Sequence, residues 1–318
     1  MDLRSEYEGK TALVTGAAGF VGSHLVDGLV ALGASVRGLD DLSDGEMSNL
    51  DQSADRIEFH RHSIVQPVGL DDLVGGCDYV FHLGANASVP RSAEKPDYDF
   101  AANVIGTHHV MESFRRTGAG RLIFTSSAAV YGEPREEPMP ETHPLVPKSP
   151  YGGSKLASEF LLDAYARCFE YDHRRVRLFN TYGPRQRKYV MYDLLEKLRK
   201  NREHLEILGT GEQVRDYNYV GDTVAAILLV GCHAEARGQV FNVSGMNPIT
   251  ITQLAALLVE LLEIDQPEVH YTGESWKGDI VRMLGDTTRL QQLGYRPTEG
   301  LRNGIQKLID WHRAEVPW

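Results

Sequence analysis

Residues 121–155 decide the fold: Arg121-Leu-Ile-Phe-Thr-Ser126-Ser127-Ala-Ala-Val-Tyr131-Gly, a proline-rich loop, then Ser149-Pro-Tyr151-Gly-Gly-Ser-Lys155. Arg121 to Ser127 is apolar, β-prone and ends in two hydroxyls. A strand stopping there presents those hydroxyls at the carboxyl end of a sheet, where open α/β sheets bind ligands. From Tyr151 the apolar residues recur at helical spacing, to Phe169. Tyr151 and Lys155 are four apart and share one helical face. A lysine ammonium beside a phenol favours the phenolate, which a tyrosine needs to act as a base near neutral pH. Ser127 is placed to hydrogen-bond the same substrate oxygen. A Tyr-x-x-x-Lys pair alone is commonplace, so its weight depends on the rest of the chain.

Upstream, Lys10 to Thr15 is a short β-prone run leading into Gly16-Ala-Ala-Gly19-Phe20-Val-Gly22 and an apolar-periodic helix to Leu32. Strand, glycine turn and helix expose backbone N–H groups to a pyrophosphate. A second strand, Ser35 to Leu39, ends in Asp40, 18 residues after Gly22. That offset suits an acid that bonds a ribose 2′-hydroxyl. A carboxylate there repels a 2′-phosphate, so NAD is expected rather than NADP.

The pattern repeats. Strands are expected at Arg56–His62, Asp78–Leu83 and Arg121–Thr125, with helices at Pro67–Val74 and Asp97–Arg116. This alternation predicts an α/β fold with a doubly wound parallel sheet, the Rossmann arrangement. His60, His62, His108 and His109 lack acidic or cysteine partners at ligand spacing, so no metal site is expected.

Composition is that of a soluble globular protein: 318 residues, 42% hydrophobic and 24% charged. A net charge of −11 argues against nucleic acid or an anionic membrane as the main partner. Cys77, Cys168 and Cys232 are far apart, which fits a reducing cytoplasm without disulfides. The N-terminus is polar and resembles no signal peptide, and the longest apolar run, Thr223 to Cys232, is too short to span a bilayer.

Taken together, Gly16-x-x-Gly19-x-x-Gly22, Asp40, Ser127, Tyr151-x-x-x-Lys155 and Arg177-Leu-Phe179-Asn180-Thr-Tyr-Gly-Pro resemble the extended short-chain dehydrogenase/reductase family, within it the nucleotide-sugar epimerases and dehydratases. The resemblance runs from about Lys10 to Trp311. It implies an NAD-binding domain over 1–180, rejoined by 213–245, and a smaller α+β substrate domain from 181–212 and 246–318. It implies catalysis by Ser127, Tyr151 and Lys155. It places Gly16, Gly19, Phe20, Gly22, Asp40, Ser63, Ile64, Leu83, Asn103 and Phe179 around the cofactor, with Tyr151 and Lys155 also touching it. Ser88, Arg91, Asn180, Arg215, Trp276, Asp279 and Met283 are implied at a nucleotide diphosphate sugar. Arg215 suits a diphosphate because its planar fork donates two hydrogen bonds. Asp222 is read instead as the cap of a helix starting at Thr223.

Three positions depart from the family pattern. Ser63 replaces an aspartate near adenine. Trp276 replaces an arginine of the usual R-x-G-D, leaving Lys277 or Arg185, Arg187 and Lys188 to supply the phosphate contact. Met283 occupies the position that helps decide whether a 2-N-acetyl group fits. Dehydratases of the family carry Asp-Glu after the strand, and decarboxylases a glutamate; here Ala128-Ala129 can move no proton. The simplest remaining chemistry is 4-epimerisation with NAD recycled. The alternatives are a dehydratase, decarboxylase or reductase, or a non-catalytic NAD-binding regulator, whose mark would be a broken Ser-Tyr-Lys set. In the family that the chain resembles, the helices corresponding to about 97–116 and 151–169 often pair across a two-fold axis. Both carry more apolar residues here (Val104, Val110, Phe114; Phe160, Leu161, Ala164, Phe169) than a single core face needs, so a homodimer is expected.

Overall fold

The computed structural model describes residues 2–274 and 280–318. Its first half alternates strands and helices: α1 (Leu3–Tyr7), β1 (Thr11–Thr15), α2 (Phe20–Ala31), β2 (Ser35–Asp40), β3 (Ile57–Arg61), α3 (Leu70–Val74), β4 (Tyr79–His82), α4 (Val89–Glu94), α5 (Pro96–Phe100), α6 (Gly106–Thr117), β5 (Arg121–Ser127), α7 (Pro150–Phe169) and β6 (His173–Leu178). The second half holds β7 (Asn180–Tyr182), α8 (Tyr189–Lys200), β8 (His204–Ile207), β9 (Val214–Tyr219), α9 (Val220–Cys232), β10 (Val240–Val243), β11 (Pro248–Thr250), α10 (Ile251–Leu261), β12 (Glu268–Tyr271), β13 (Arg282–Met283), α11 (Thr288–Gln292) and α12 (Leu301–Glu315).

Seven strands form one parallel sheet in the order β10-β6-β5-β4-β1-β2-β3. The strand order reverses between β1 and β4, which opens a crevice at their carboxyl ends. Helices cover both faces. Leu25, Val26 and Leu29 of α2 join Val224, Ile227 and Leu228 of α9 on one. Val110, Met111 and Phe114 of α6 join Leu162 of α7 on the other. The doubly wound α/β reading therefore holds, and a second core lies apart from it. There Leu194, Leu195 and Leu198 of α8 meet Leu254 and Leu258 of α10 and Ile305 and Leu308 of α12. The stretch 213–245 divides between the two. Its β9 pairs with β7, β11 and β13 in a small sheet, whereas α9 packs on α2 and β10 joins the large sheet. Among the described residues, no helix is long and apolar enough to cross a membrane.

One expectation is refined and one fails. The helix expected over Asp97–Arg116 is present, from Pro96 to Thr117, with Ala101–Ile105 wound as a π-helical turn between α5 and α6. The reason is side-chain bonding, since Asn103 in that turn is drawn inward to Asn86, Asp99 and Ser154. Asp222 does not cap its helix, which starts at Val220 with Tyr219 as cap. Its carboxylate accepts instead from the backbone of Thr298 and Glu299, at 2.9 and 3.0 Å, tying down the approach to α12.

The start of α7 is locally encoded. Ser149 caps it by accepting the Gly152 N–H at 3.1 Å, and Pro150 takes the first helical position, where no N–H is needed. Further along, Glu159 receives a two-pronged bond from Arg177 of β6, at 2.9 and 2.6 Å. Both side chains are at most 4% exposed. Arg177 also donates to the Tyr131 hydroxyl and the Glu141 carbonyl. Glu159→Gln leaves that buried guanidinium without its counter-charge. It is expected to lower unfolding stability by about 3–5 kcal/mol, as for other broken buried pairs, in urea melts at neutral pH.

Candidate active site

A cavity of about 1050 Å³ opens at the carboxyl ends of β1, β2, β4, β5 and β6 and extends to α8 and β9. The glycine turn forms its floor. Gly16 has φ +72°, and a Cβ there would lie 2.9 Å from the Gly84 nitrogen. A Cβ on Gly22 would sit 1.9 Å from the Gly16 carbonyl oxygen, so no side chain fits where the helix meets the turn. Asp40 is buried at the end of β2. Its two oxygens accept the N–H groups of Ala18 and Leu42 at 3.0 and 2.8 Å. Burial raises its pKa, and these two bonds oppose the rise.

Phe20, Ser63, Ile64, Leu83 and Ser88 border the cavity with Asp40. Ser63, standing where an acid was expected, donates its hydroxyl to Asp41 at 2.9 Å, so a neighbouring carboxylate is present after all. Asn49 binds the Ala18 carbonyl and fixes the turn from outside, a contact with no signature in the sequence. Two expected contacts do not reach the cavity wall. Asn103 is fully buried, with its amide held by Asn86, Asp99 and Ser154, and it braces the loop after β4. Arg91 turns to Asp44 at 3.1 Å and lies over the Tyr98 ring.

Ser127, Tyr151 and Lys155 all line the cavity. The serine is held by the short turn after β5, where its oxygen accepts the Ala129 N–H at 3.2 Å. Tyr151 is 8% exposed. Burial pushes its pKa up to about 12, and a hydrogen bond from Ser127 works against that rise. Lys155 is 4% exposed and donates to the Thr125 carbonyl at 3.0 Å. Burial pulls it down to about 8, opposed by Asp99 and Glu159. The expected lowering of the tyrosine by its lysine is therefore absent from the protein alone. Desolvation outweighs charge pairing, and the ammonium is committed to a backbone carbonyl. Nearby His82 is bonded to Thr15 and Thr107 and held neutral by burial, at about 3.

At the other end, Phe179, Asn180, Arg215 and Met283 border the same cavity. Asn180 reaches the Met283 sulfur at 3.9 Å, and Arg215 donates to the Val214 carbonyl at 3.0 Å. Trp276 and Asp279, together with Lys277, lie outside the described residues. Arg185, Arg187 and Lys188, expected as substitute phosphate ligands, are each paired with an acid. Among the described residues, no three His, Cys, Asp or Glu side chains gather as a metal site.

The cavity fits a dinucleotide on two counts. The glycine turn leaves backbone, not side chain, facing a ligand. The Ser126 hydroxyl is buried in the wall beside Ser127 with no partner among the described residues.

Comparison with known proteins agrees. Residues 13–308 match the family model described as GDP-mannose 4,6 dehydratase. A UDP-glucose 4-epimerase of Mycolicibacterium smegmatis is 38% identical over 95% of this chain and 98% of its own. The crystal structure of a UDP-glucose 4-epimerase from Thermotoga maritima with UDP-glucose superposes with a TM-score of 0.89 at 35% identity, covering 96% of this chain and 99% of that one. A dTDP-glucose 4,6-dehydratase from Streptomyces venezuelae with NAD bound superposes at 0.91 with 30% identity, covering 96% and 97%.

The buried lysine has a signature in stability. Its proton leaves the folded chain near pH 8 but the unfolded chain only near 10.5. Between those values the unfolded chain binds more protons, so stability rises with pH, by on the order of 3 kcal/mol in total. Tyr151 acts oppositely above about pH 10, where the folded chain keeps its proton longer. Urea melts of cofactor-free protein from pH 7.5 to 10, our chosen range spanning about the shifted lysine pKa, should show the rise in wild type and not in Lys155→Met.

Proposed function

The chain belongs to the extended short-chain dehydrogenase/reductase family of nucleotide-sugar epimerases and dehydratases, and from that premise we propose that it is an NAD-dependent 4-epimerase of a nucleotide diphosphate sugar. The observation that carries the choice is Ala128-Ala129, directly after Ser127 in the cavity wall. Loss of water needs an acid and a base beside the oxidised sugar, and neither alanine supplies one.

NAD would lie on the glycine turn with Asp40 toward its ribose and with Ser63, Ile64, Leu83, Tyr151, Lys155 and Phe179 along it; when bound, it accepts a hydride from the sugar and returns it. The residues of this chain handle the rest. Tyr151 takes the proton of the sugar 4-hydroxyl and gives it back after the 4-keto sugar has turned over. Ser127 hydrogen-bonds the same oxygen and aligns it. Lys155 supplies positive charge behind the phenol. Arg215 and Asn180 hold the diphosphate end, and Met283 and Ser88 border the sugar. A 2′-phosphate would bring a second negative group against Asp40, which supports NAD over NADP.

Proton NMR on a panel of UDP-, GDP-, dTDP- and CDP-sugars tests this reading. Inversion at C4 without loss of water or carbon dioxide is expected. Tyr151→Phe should lower kcat by about 10²–10⁴ while still binding NAD. A 4-keto-6-deoxy product, a pentose product or an undiminished Tyr151→Phe enzyme would refute it.

We also propose a homodimer joined through α5 and α7. Val104, Val110 and Phe114, expected to contribute, are interior instead. What remains outside is Phe100 and Phe160, 54% and 59% exposed, with Ile105 and Phe169. Sedimentation of wild type at micromolar concentration should give a dimer, and Phe160→Glu a monomer.

A further inference from the structure

The segment between β7 and α8 is tied to the dinucleotide side of the cavity by its own side chains. Arg185 lies 2.7 Å from Asp27 on α2. Arg187 lies 3.0 Å from Glu46, and Lys188 2.7 Å from Asp44, both on the loop after β2. Tyr189 donates its hydroxyl to the Ala87 carbonyl at 2.8 Å, in the loop after β4. Residues 185–189, Asp44, Glu46 and Ala87 all border the cavity. The acids they reach belong to the cradle itself. The Glu46 N–H donates to the Ala18 carbonyl in the glycine turn. A Cβ on Gly45 would lie 2.9 Å from the Asp40 carboxylate. Arg185 and Tyr189 hold φ of +68° and +73°, a region that such side chains keep only when their surroundings hold them there.

We infer that residues 185–189 form a latch across the cavity mouth, fastened by Asp27, Asp44 and Glu46, that retains the dinucleotide between turnovers. The inference rests on the dinucleotide reading proposed above, not on the identity of the sugar. A reaction that returns its hydride has no need to exchange cofactor, whereas a net reductase must release it every turnover. Two of the three fastenings sit at the rim: the Lys188 and Asp44 side chains are 50% and 33% exposed and Arg187 and Glu46 26% and 49%, whereas Arg185 and Asp27 lie deeper, at 14% and 16%. Such rim pairs are individually weak and open without disturbing a core. Several side by side, with the Tyr189 bond, must all open before the segment lifts. Being near water, they are also screened by salt.

The test is the release rate of NADH from loaded protein, chased with excess NAD and followed by loss of bound-NADH fluorescence. Wild type should release slowly at low salt and faster as salt is raised. Asp44→Asn with Glu46→Gln keeps side-chain volume and removes the charges. It should release about tenfold faster at low salt and lose most of the salt dependence. Glu315→Gln is the control, since Glu315 pairs with Arg187 from α12 and is not one of the three fastening acids on the dinucleotide side. Its release should match wild type. An Asn/Gln double variant with wild-type release and salt dependence would overturn the latch, as would equal acceleration in Glu315→Gln. Wild type that binds no dinucleotide would remove the proposed function and this inference together.

Discussion

The buried pair of Arg177 and Glu159 is the constraint on which the site depends. It joins β6 to the middle of α7, and through Tyr131 and the Glu141 carbonyl it also holds the chain that leaves β5. Those three pieces carry Phe179, the Tyr151–Lys155 pair and Ser127. Tyr131 passes the restraint on to Asn242, whose amide holds the carbonyls of Met139 and Asp286. A buried ion pair adds little net stability, because desolvation offsets most of its attraction. Its geometry is directional, however, and a planar guanidinium bound at both edges leaves β6 and α7 little freedom to slide.

The site accepts electrostatic cost in the same region. Lys155 is a buried cation held by one carbonyl, and Tyr151 a buried phenol whose ionisation is opposed by its surroundings. Perturbed groups of this kind gather where chemistry is done. The large sheet and its two helical layers tolerate that cost, since their apolar burial does not rely on either side chain.

Much of this was legible in the sequence because the signals were local. The glycine turn, the Ser149-Pro150 start of α7 and the alternation of strands and helices each depend on neighbours in the chain. Asn103, Arg91 and Asp222 make contacts that the sequence did not show, and for one reason. Their partners are Asn86, Asp44 and Thr298, tens of residues away or placed by loops without periodicity. Spacing reports that Tyr151 and Lys155 are close along a helix but not the burial that opposes the charge of each. The place of 213–245 was harder to read, since nothing local in that stretch says that β9 joins the small sheet while β10 joins the large one.

The π-helical turn at residues 101–105 bears on how the gene can vary. A π turn holds one more residue than the α turn it replaces, and here that surplus lets Asn103 point inward while Phe100 and Ile105 stay outside. Deleting a single codon in this stretch would restore regular winding with α5 and α6 keeping their relative orientation, because the π turn absorbs the extra residue. The inward position of Asn103 would be lost with it, and the loop after β4 would lose that brace. Length is thus constrained along this helix as well as identity: in-frame insertions and deletions within the π turn should be absent from functional descendants of the sequence.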